Sequence, residues 1–268
     1  MPYLTNDGIK IYYETEGEGP PVVMVHGFAS NIQQNWKQTN WVNTLKENYQ
    51  LILSDVRGHG KSDKPHEESY YGYQKMTDDI IKLMDHLSIE KANFFGYSMG
   101  AYMTFLLLLR KPELLISAIL GGFVLNFPQN EKERTQARES TLLRIDAFKA
   151  ENINQVKDPI ARRFRQFAEL GGNDLNALAA LLTGELKQSP EGGHLLNIQV
   201  KSSLKKVKKP VMTVVGSNEF IPGDKTLVAQ LVPGACHFQI QGKDHLTVVP
   251  DPKFKIVVKA FLDYVNRR

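Results

Sequence analysis

Two hydrophobic rhythms alternate along this chain. Short apolar runs that stop at glycine or a polar residue recur as LILSD (51–55), ANFFGYS (92–98), SAILGGF (117–123), VMTVVG (211–216) and HFQIQG (237–242), the pattern of buried strands. Between them lie segments with helical spacing. MTDDIIKLMDHL (76–87) puts Ile80, Leu83, Met84 and Leu87 on one stripe, and SMGAYMTFLLLLRK is apolar nearly all round and therefore reads as a buried helix. The chain closes with an amphipathic helix, PKFKIVVKAFLDYVNRR, with Asp251 placed to cap it and Pro252 at its first position. Near the start, IKIYYE (9–14) and PVVMVHG (21–27) are joined by the polar, glycine-rich TEGEG, which predicts a hairpin at a sheet edge. This alternation predicts an α/β fold: a mostly parallel twisted sheet of about eight strands flanked by helices.

The rhythm changes between residues 125 and 204. That stretch is strongly charged, contains no convincing strand, and shows helical patterns around 141–150, 160–170 and 175–182. A segment of this size between two sheet strands is too long for a loop. The expected organisation is a core built from 1–124 and 205–268, with 125–204 as a helical cap inserted into it.

Composition narrows the function classes. A chain of 268 residues can bury a full core, and a net charge of +4 with 23% charged residues is ordinary for a globular protein. The basic run KKVKK (205–209) has no interleaved aromatics and reads as a solvated loop, so no nucleic-acid partner is expected. The lone Cys236 excludes an internal disulfide and fits a reducing compartment; beside a predicted strand, it is expected in the core. The N-terminus has neither a basic nor an apolar leader region, and MTFLLLL is too short to span a bilayer. A cytoplasmic protein without a membrane span is the expectation. Oligomeric state leaves no mark in the sequence.

The most specific motif is Gly96-Tyr97-Ser98-Met99-Gly100, at the junction of a predicted strand and the buried helix. A serine on such a corner sits in strained backbone, and small residues two before and two after it let strand and helix approach. At the start of the helix, the free N–H of Met99 can point at a developing oxyanion. A second donor is expected from the turn after the strand VVMV, where the N–H of Phe28 follows His26-Gly27. His26 is expected to brace that turn.

With these residues the chain resembles the α/β-hydrolase superfamily. The resemblance covers nearly the whole length: HGF after an early strand, DVRGHGKS at 55–62, GYSMG, a helical cap, GSNE, and GKDH near the end. It implies Ser98 as nucleophile, His245 as general base, an acid on the loop after the strand ending near Val215, and oxyanion donors at the backbone N–H groups of Phe28 and Met99. Serine at position 98 departs from the dehalogenase and epoxide-hydrolase branches, which use aspartate there. HGF departs from the HGGPG of proline iminopeptidases.

His245 is also singled out by its own setting. It lies in a loop after a predicted strand and before the last helix, where an imidazole can take the proton of a serine hydroxyl. His86 sits on a helix and His237 begins a strand, while His59, His66 and His194 sit in polar, surface-like stretches. No histidine pair has metal-ligand spacing and there is no cysteine cluster, so no metal is expected; the acyl chemistry implies no organic cofactor either. Gly60-Lys61-Ser62 mimics the end of a phosphate-binding loop, but the required earlier glycine is Asp55. Asp55 and Arg57 are available to pair and hold that turn.

An imidazole acting as base needs an acceptor on its second nitrogen. The family pattern after this strand is G-x-x-D; here the fourth residue is Glu219, with Asp224 five residues on. Glu219 is the first choice and Asp224 the alternative, since Asp224 also suits the cap of the helix in KTLVAQLV. The expected activity is hydrolysis of small or medium carboxylic esters through an acyl-enzyme, acting on a small-molecule ester. Lactonase, thioesterase, perhydrolase, carbon–carbon bond hydrolase and slow-turnover signalling receptor remain alternatives on the same constellation.

Overall fold

The computed structural model describes residues 2–126, 130–188 and 198–267. Eight strands form one sheet: β1 (Tyr3–Asn6), β2 (Ile9–Glu16), β3 (Pro21–Val25), β4 (Gln50–Ser54), β5 (Ala92–Tyr97), β6 (Leu115–Gly121), β7 (Val211–Gly216) and β8 (Cys236–Ile240). Their spatial order is β1-β2-β4-β3-β5-β6-β7-β8. From β4 to β8 every pairing is parallel.

The edge differs from the expected hairpin. β2 pairs antiparallel with β1 on one side and with β4 on the other, never with β3. The true hairpin is β1–β2, closed by Asp7 and Gly8, both at positive φ (49° and 76°). Asp-Gly is the residue pair that such a two-residue turn demands. The chain between β2 and β3 instead carries β3 past β4, which slots between them. Cys236 is another departure: it opens β8 at the far edge of the sheet and is exposed.

Nine α-helices are found among the described residues: α1 (Trp41–Leu45), α2 (Tyr73–His86), α3 (Met99–Arg110), α4 (Glu131–Lys149), α5 (Pro159–Leu170), α6 (Leu175–Gln188), α7 (Ile198–Leu204), α8 (Leu227–Leu231) and α9 (Pro252–Asn266). α3 runs beneath the sheet with Met103, Phe105, Leu107 and Leu108 buried, and packs with α2 on that face. The opposite face is filled by α1 and α9, where the Trp41 ring meets Phe95 at 4.7 Å and Phe254 at 4.9 Å. Edge-on contacts of this kind add to the burial of large rings. α4 to α7 all lie between β6 and β7 in the chain. α4 starts ten residues before the predicted pattern because its first half is charged and exposed and leaves no apolar stripe. Asp158 caps α5, and Pro159 takes its first position.

β3 and β5 are sequence-distant neighbours at the centre of the sheet. Crossovers leave them in opposite directions, so their carboxyl ends open a crevice, the usual place for a ligand in this architecture. The loop after β4 is anchored nearby. Arg57 is fully buried and pairs with Asp79 of α2 (Nε to Oδ2 2.7 Å, Nη2 to Oδ1 2.6 Å), while Nη1 donates to the Tyr70 carbonyl at 2.6 Å. Asp55 does not pair with Arg57, as the sequence led one to expect. It accepts from the backbone N–H groups of Ile32 (2.8 Å) and Lys61 (2.7 Å). The two charges part because each finds a full set of hydrogen bonds elsewhere. Removing one member of a buried ion pair strands the other. Arg57→Ala is therefore expected to cost about 3–5 kcal/mol in urea unfolding, and an effect below about 1 kcal/mol would refute a structural role for this pair.

Candidate active site

The corner between β5 and α3 is tight. Ser98 has φ 51° and ψ −112°, outside the regions an L-residue favours, at a cost on the order of 1–3 kcal/mol. Its N–H donates to the Gly121 carbonyl at 2.8 Å, and its carbonyl accepts the first helical bond from Tyr102 N–H at 3.0 Å. A Cβ on Gly96 would lie 2.1 Å from the Gly100 oxygen, and one on Gly100 would lie 2.0 Å from the Val25 oxygen. Both positions must be glycine for strand and helix to meet.

His245 arrives from the loop between β8 and α9. Its carbonyl accepts a hydrogen bond from the Tyr97 hydroxyl, whose ring also lies against the imidazole at 5.5 Å. The Phe220 ring approaches edge-on at 5.5 Å. The preceding Asp244 accepts from the N–H groups of Leu246 (3.1 Å) and Thr247 (2.9 Å), from the Thr247 hydroxyl (2.8 Å), and from Arg163 of α5 (3.2 Å). Burial alone would raise the Asp244 carboxyl; these donors, led by Thr247, hold it down at about 2. The imidazole is thus clamped by backbone, turn and rings. Its Nε2 lies 2.9 Å from Ser98 Oγ, and its Nδ1 lies 2.8 Å from Glu219 Oε2. Both ring nitrogens are thus engaged, one by the serine hydroxyl and the other by the carboxylate.

Glu219 follows β7, and its side chain is wholly buried. Its second oxygen, Oε1, accepts from the Ile221 N–H at 2.9 Å. The loop is drawn back onto its neighbour by the N–H groups of Ser217 and Asn218, which donate to the Ile240 (2.9 Å) and Lys243 (2.8 Å) carbonyls. The longer arm of glutamate spans from this set-back position. Asp224 is placed differently. Its Oδ1 accepts from Thr226 N–H and hydroxyl, both at 2.8 Å, and from Leu227 N–H at 3.1 Å, which caps α8. Those bonds, first that from the Thr226 N–H, lower its carboxyl pKa. Among the described contacts Glu219, not Asp224, meets His245.

The turn after β3 faces the same corner. A Cβ on Gly27 would stand 3.3 Å from the Ser98 Cβ, so the turn lies against the serine. Four polar contacts fasten it. Gly27 N–H donates to Asn35 Oδ1 (3.0 Å), and Ala29 N–H donates to His59 Nε2 (3.1 Å). His26 Nε2 accepts from Val56 N–H (3.0 Å), and its Nδ1–H donates to the Gly27 carbonyl (2.8 Å). His26 braces the turn as expected. His59, read as surface-like, is completely buried and does the same work from β4's loop. The backbone N–H groups of Phe28 and Met99 have no acceptor among the described residues. Of the remaining histidines, His66 contacts Asp174, His86 contacts Tyr13, and His194 lies outside the described residues. Tyr97, His59 and Asn35 were not legible as parts of this site; Tyr97 is a variable position of the motif, and only its hydroxyl's reach to another loop marks it.

Ser98 and His245 open into a cavity of about 560 Å³, lined also by Phe28, Met99 and side chains of α4, α5 and α6. No cluster of three or more metal-ligating side chains occurs among the described residues, and no helix there is long and apolar enough to cross a membrane.

A profile of the alpha/beta hydrolase fold family matches residues 20–230. A cis-3-alkyl-4-alkyloxetan-2-one decarboxylase of Shewanella oneidensis is 39% identical over 90 residues, 33% of this chain and 27% of that protein. A pimeloyl-[acyl-carrier protein] methyl ester esterase of Nitrosospira multiformis is 25% identical over 222 residues, 80% of this chain and 82% of its own. The alignments with the first three curated relatives span 27%, 37% and 39% of their lengths. The crystal structure of the enol-lactonase from Burkholderia xenovorans LB400 superposes with a TM-score of 0.71 at 21% identity, over 98% of this chain and 100% of that one. At that identity the likeness is one of fold.

The buried histidines carry a pH dependence. Burial is the main cause that lowers the imidazoles of His26 and His59, and it brings His59 down to about 3 from the ordinary 6.5. The unfolded chain binds protons that the folded chain refuses between those values, so stability is complete above pH 6.5 and falls as pH drops toward 3. Melting temperatures recorded from pH 7 to pH 4 should decline, and His59→Gln should flatten the slope; an unchanged slope would contradict a neutral, buried His59.

Proposed function

The chain belongs to the alpha/beta hydrolase fold family, and from that premise we propose that it is a serine hydrolase of carboxylic esters with a Ser98–His245–Glu219 triad. The carrying observation is the unbroken line of contacts from Ser98 Oγ through both imidazole nitrogens to a buried carboxylate, at 2.9 and 2.8 Å.

Ser98 Oγ attacks the acyl carbon as its proton passes to His245 Nε2. Glu219 holds the imidazole in the required tautomer and stabilises the imidazolium. The N–H groups of Phe28 and Met99 receive the oxyanion, aided by the start of α3. The tetrahedral adduct collapses when His245 returns the proton to the leaving alkoxide, giving an acyl-enzyme and free alcohol. Water, deprotonated by His245, then attacks the acyl carbon, and the acid leaves with Ser98 restored. None of these steps draws on a cofactor. A cavity of about 560 Å³ suits small or medium substrates. In this reading α4 to α6 act as a cap that shapes the pocket and keeps bulk water out.

Three variants test the roles. Ser98→Ala should reduce p-nitrophenyl ester turnover to background. Glu219→Gln should lower kcat by orders of magnitude, up to about 10⁴, with a nearly unchanged melting temperature. Asp224→Ala should cost about 0.5–2 kcal/mol of stability and leave kcat within a few-fold. The reverse pattern at the two acids would reassign the triad, and full activity in Ser98→Ala would end the proposal. A panel of acyl chain lengths, thioesters and lactones would then rank substrates.

A further inference from the structure

The cavity beside Ser98 has two unlike walls. Phe123, Val124, Leu182 and Ile221 supply apolar surface. α4 supplies a polar stripe at helical spacing: Glu133, Gln136, Ser140 and Arg144, with Thr141 alongside. Such a stripe normally faces only water; here it also lines the cavity.

Arg144 is the last member of the stripe, and its charge is poorly matched. Its Nε donates to its own helix at the Ser140 carbonyl (3.3 Å), and Nη2 donates to the Thr141 hydroxyl (3.0 Å). Its guanidinium carbon lies 5.6 Å from the centre of the Phe164 ring. Nη1 has no acceptor, and no carboxylate lies within ion-pair distance of the guanidinium, among the described residues. Glu133 is eleven residues earlier, about 16 Å along the helix. The nearest acidic influence is Glu185 of α6, which shares the cavity wall. Its Oε1 is buried with no hydrogen-bond partner among the described residues. Burial pushes the Glu185 carboxyl up to about 8, against hydrogen bonding from Tyr73 and the field of Arg144. At neutral pH it is therefore mostly protonated and leaves Arg144 uncompensated. Asp158, which also acts on Arg144, is engaged in capping α5. Tyr73 and Tyr102, the other titratable groups around Glu185, stay neutral because burial raises both.

We infer that the cavity takes an ester whose non-reacting end is a carboxylate, bound by the Arg144 guanidinium while the acyl carbon lies at Ser98. The inference rests on the acyl chemistry proposed above. A planar guanidinium with a free N–H edge matches a carboxylate in a way that an ammonium does not, and the apolar wall accommodates a methylene chain between the two ends.

The test compares mono-p-nitrophenyl adipate with p-nitrophenyl hexanoate. The ratio of kcat/KM for the anionic over the neutral ester should fall by about 10- to 100-fold in Arg144→Gln, chiefly through KM, and by less in Arg144→Lys. The wild-type ratio should also fall as pH rises through about 8, where Glu185 ionises and competes for the guanidinium, and Glu185→Gln should remove that fall. Calorimetric titration with adipate should show binding to the wild-type protein that Arg144→Gln loses. Equal ratios in wild type and Arg144→Gln, or adipate binding indifferent to Arg144, would overturn the inference. Failure of wild type to hydrolyse the hexanoate would instead count against the Ser98 chemistry, and the adipate titration would still decide the role of Arg144.

Discussion

Everything at the candidate site depends on how closely α3 approaches the end of β5. The strained Ser98 backbone and the two glycines around it let the helix start within van der Waals reach of the neighbouring strand, where a single added methyl would stand 2.0 Å from the Val25 oxygen. That approach does three things at once. It lifts the serine side chain clear of the sheet, directs the first turn of α3 at the space above it, and brings the turn after β3 against the serine. The strain is sustained because β5 is buried along its whole length and α3 along most of its own; a corner this costly could not be held by an exposed strand.

Around that corner the fold supplies rigidity through groups with no assigned chemistry of their own. His26 and His59 are neutral pegs that satisfy backbone N–H groups of two loops. Asp55, likewise, serves as an acceptor for loop amides. Buried polar groups of this kind are stabilising only when fully satisfied, and together they hold the turn that carries the Phe28 amide. The acid loop is treated in the same way: Glu219 has both oxygens engaged, one by His245 and one by the backbone of Ile221. The site is preorganised mainly by backbone hydrogen bonds, with side chains supplying the final contacts.

Much of this was legible in the sequence because it is local. The corner around Ser98 announces itself by glycine spacing, α5 and α6 by helical patterning, and α9 by its apolar periodicity and cap. The preference for Glu219 over Asp224 came from its place after β7, and the same placement puts its carboxylate on the imidazole while Asp224 turns to α8. What escaped was non-local. The β1–β2 hairpin was missed although Asp7-Gly8 was there to be read, because the longer alternating runs on either side of TEGEG looked like natural partners. Burial of His59, exposure of Cys236 and the pairing of Arg57 with Asp79 rather than Asp55 all depend on which segment packs against which. No periodicity within one segment encodes those choices. Arg144 is similar: it sits on a charged helix like several others, and only the packing of α4 across the cavity separates it from them.

The hydrogen bond from the Tyr97 hydroxyl to the His245 carbonyl links two parts of the chain 148 residues apart. Tyr97 is the residue immediately before Ser98, so the segment that ends in the serine also grips the loop that carries the imidazole. The two groups therefore share one mounting. A displacement of the outer strands β7 and β8 would have to break this contact before it could part serine from imidazole. In the proposed reading, such a linkage would let the side chains around the cavity change while the spacing of hydroxyl and imidazole is kept: tolerance in recognition is separated mechanically from tolerance in chemistry.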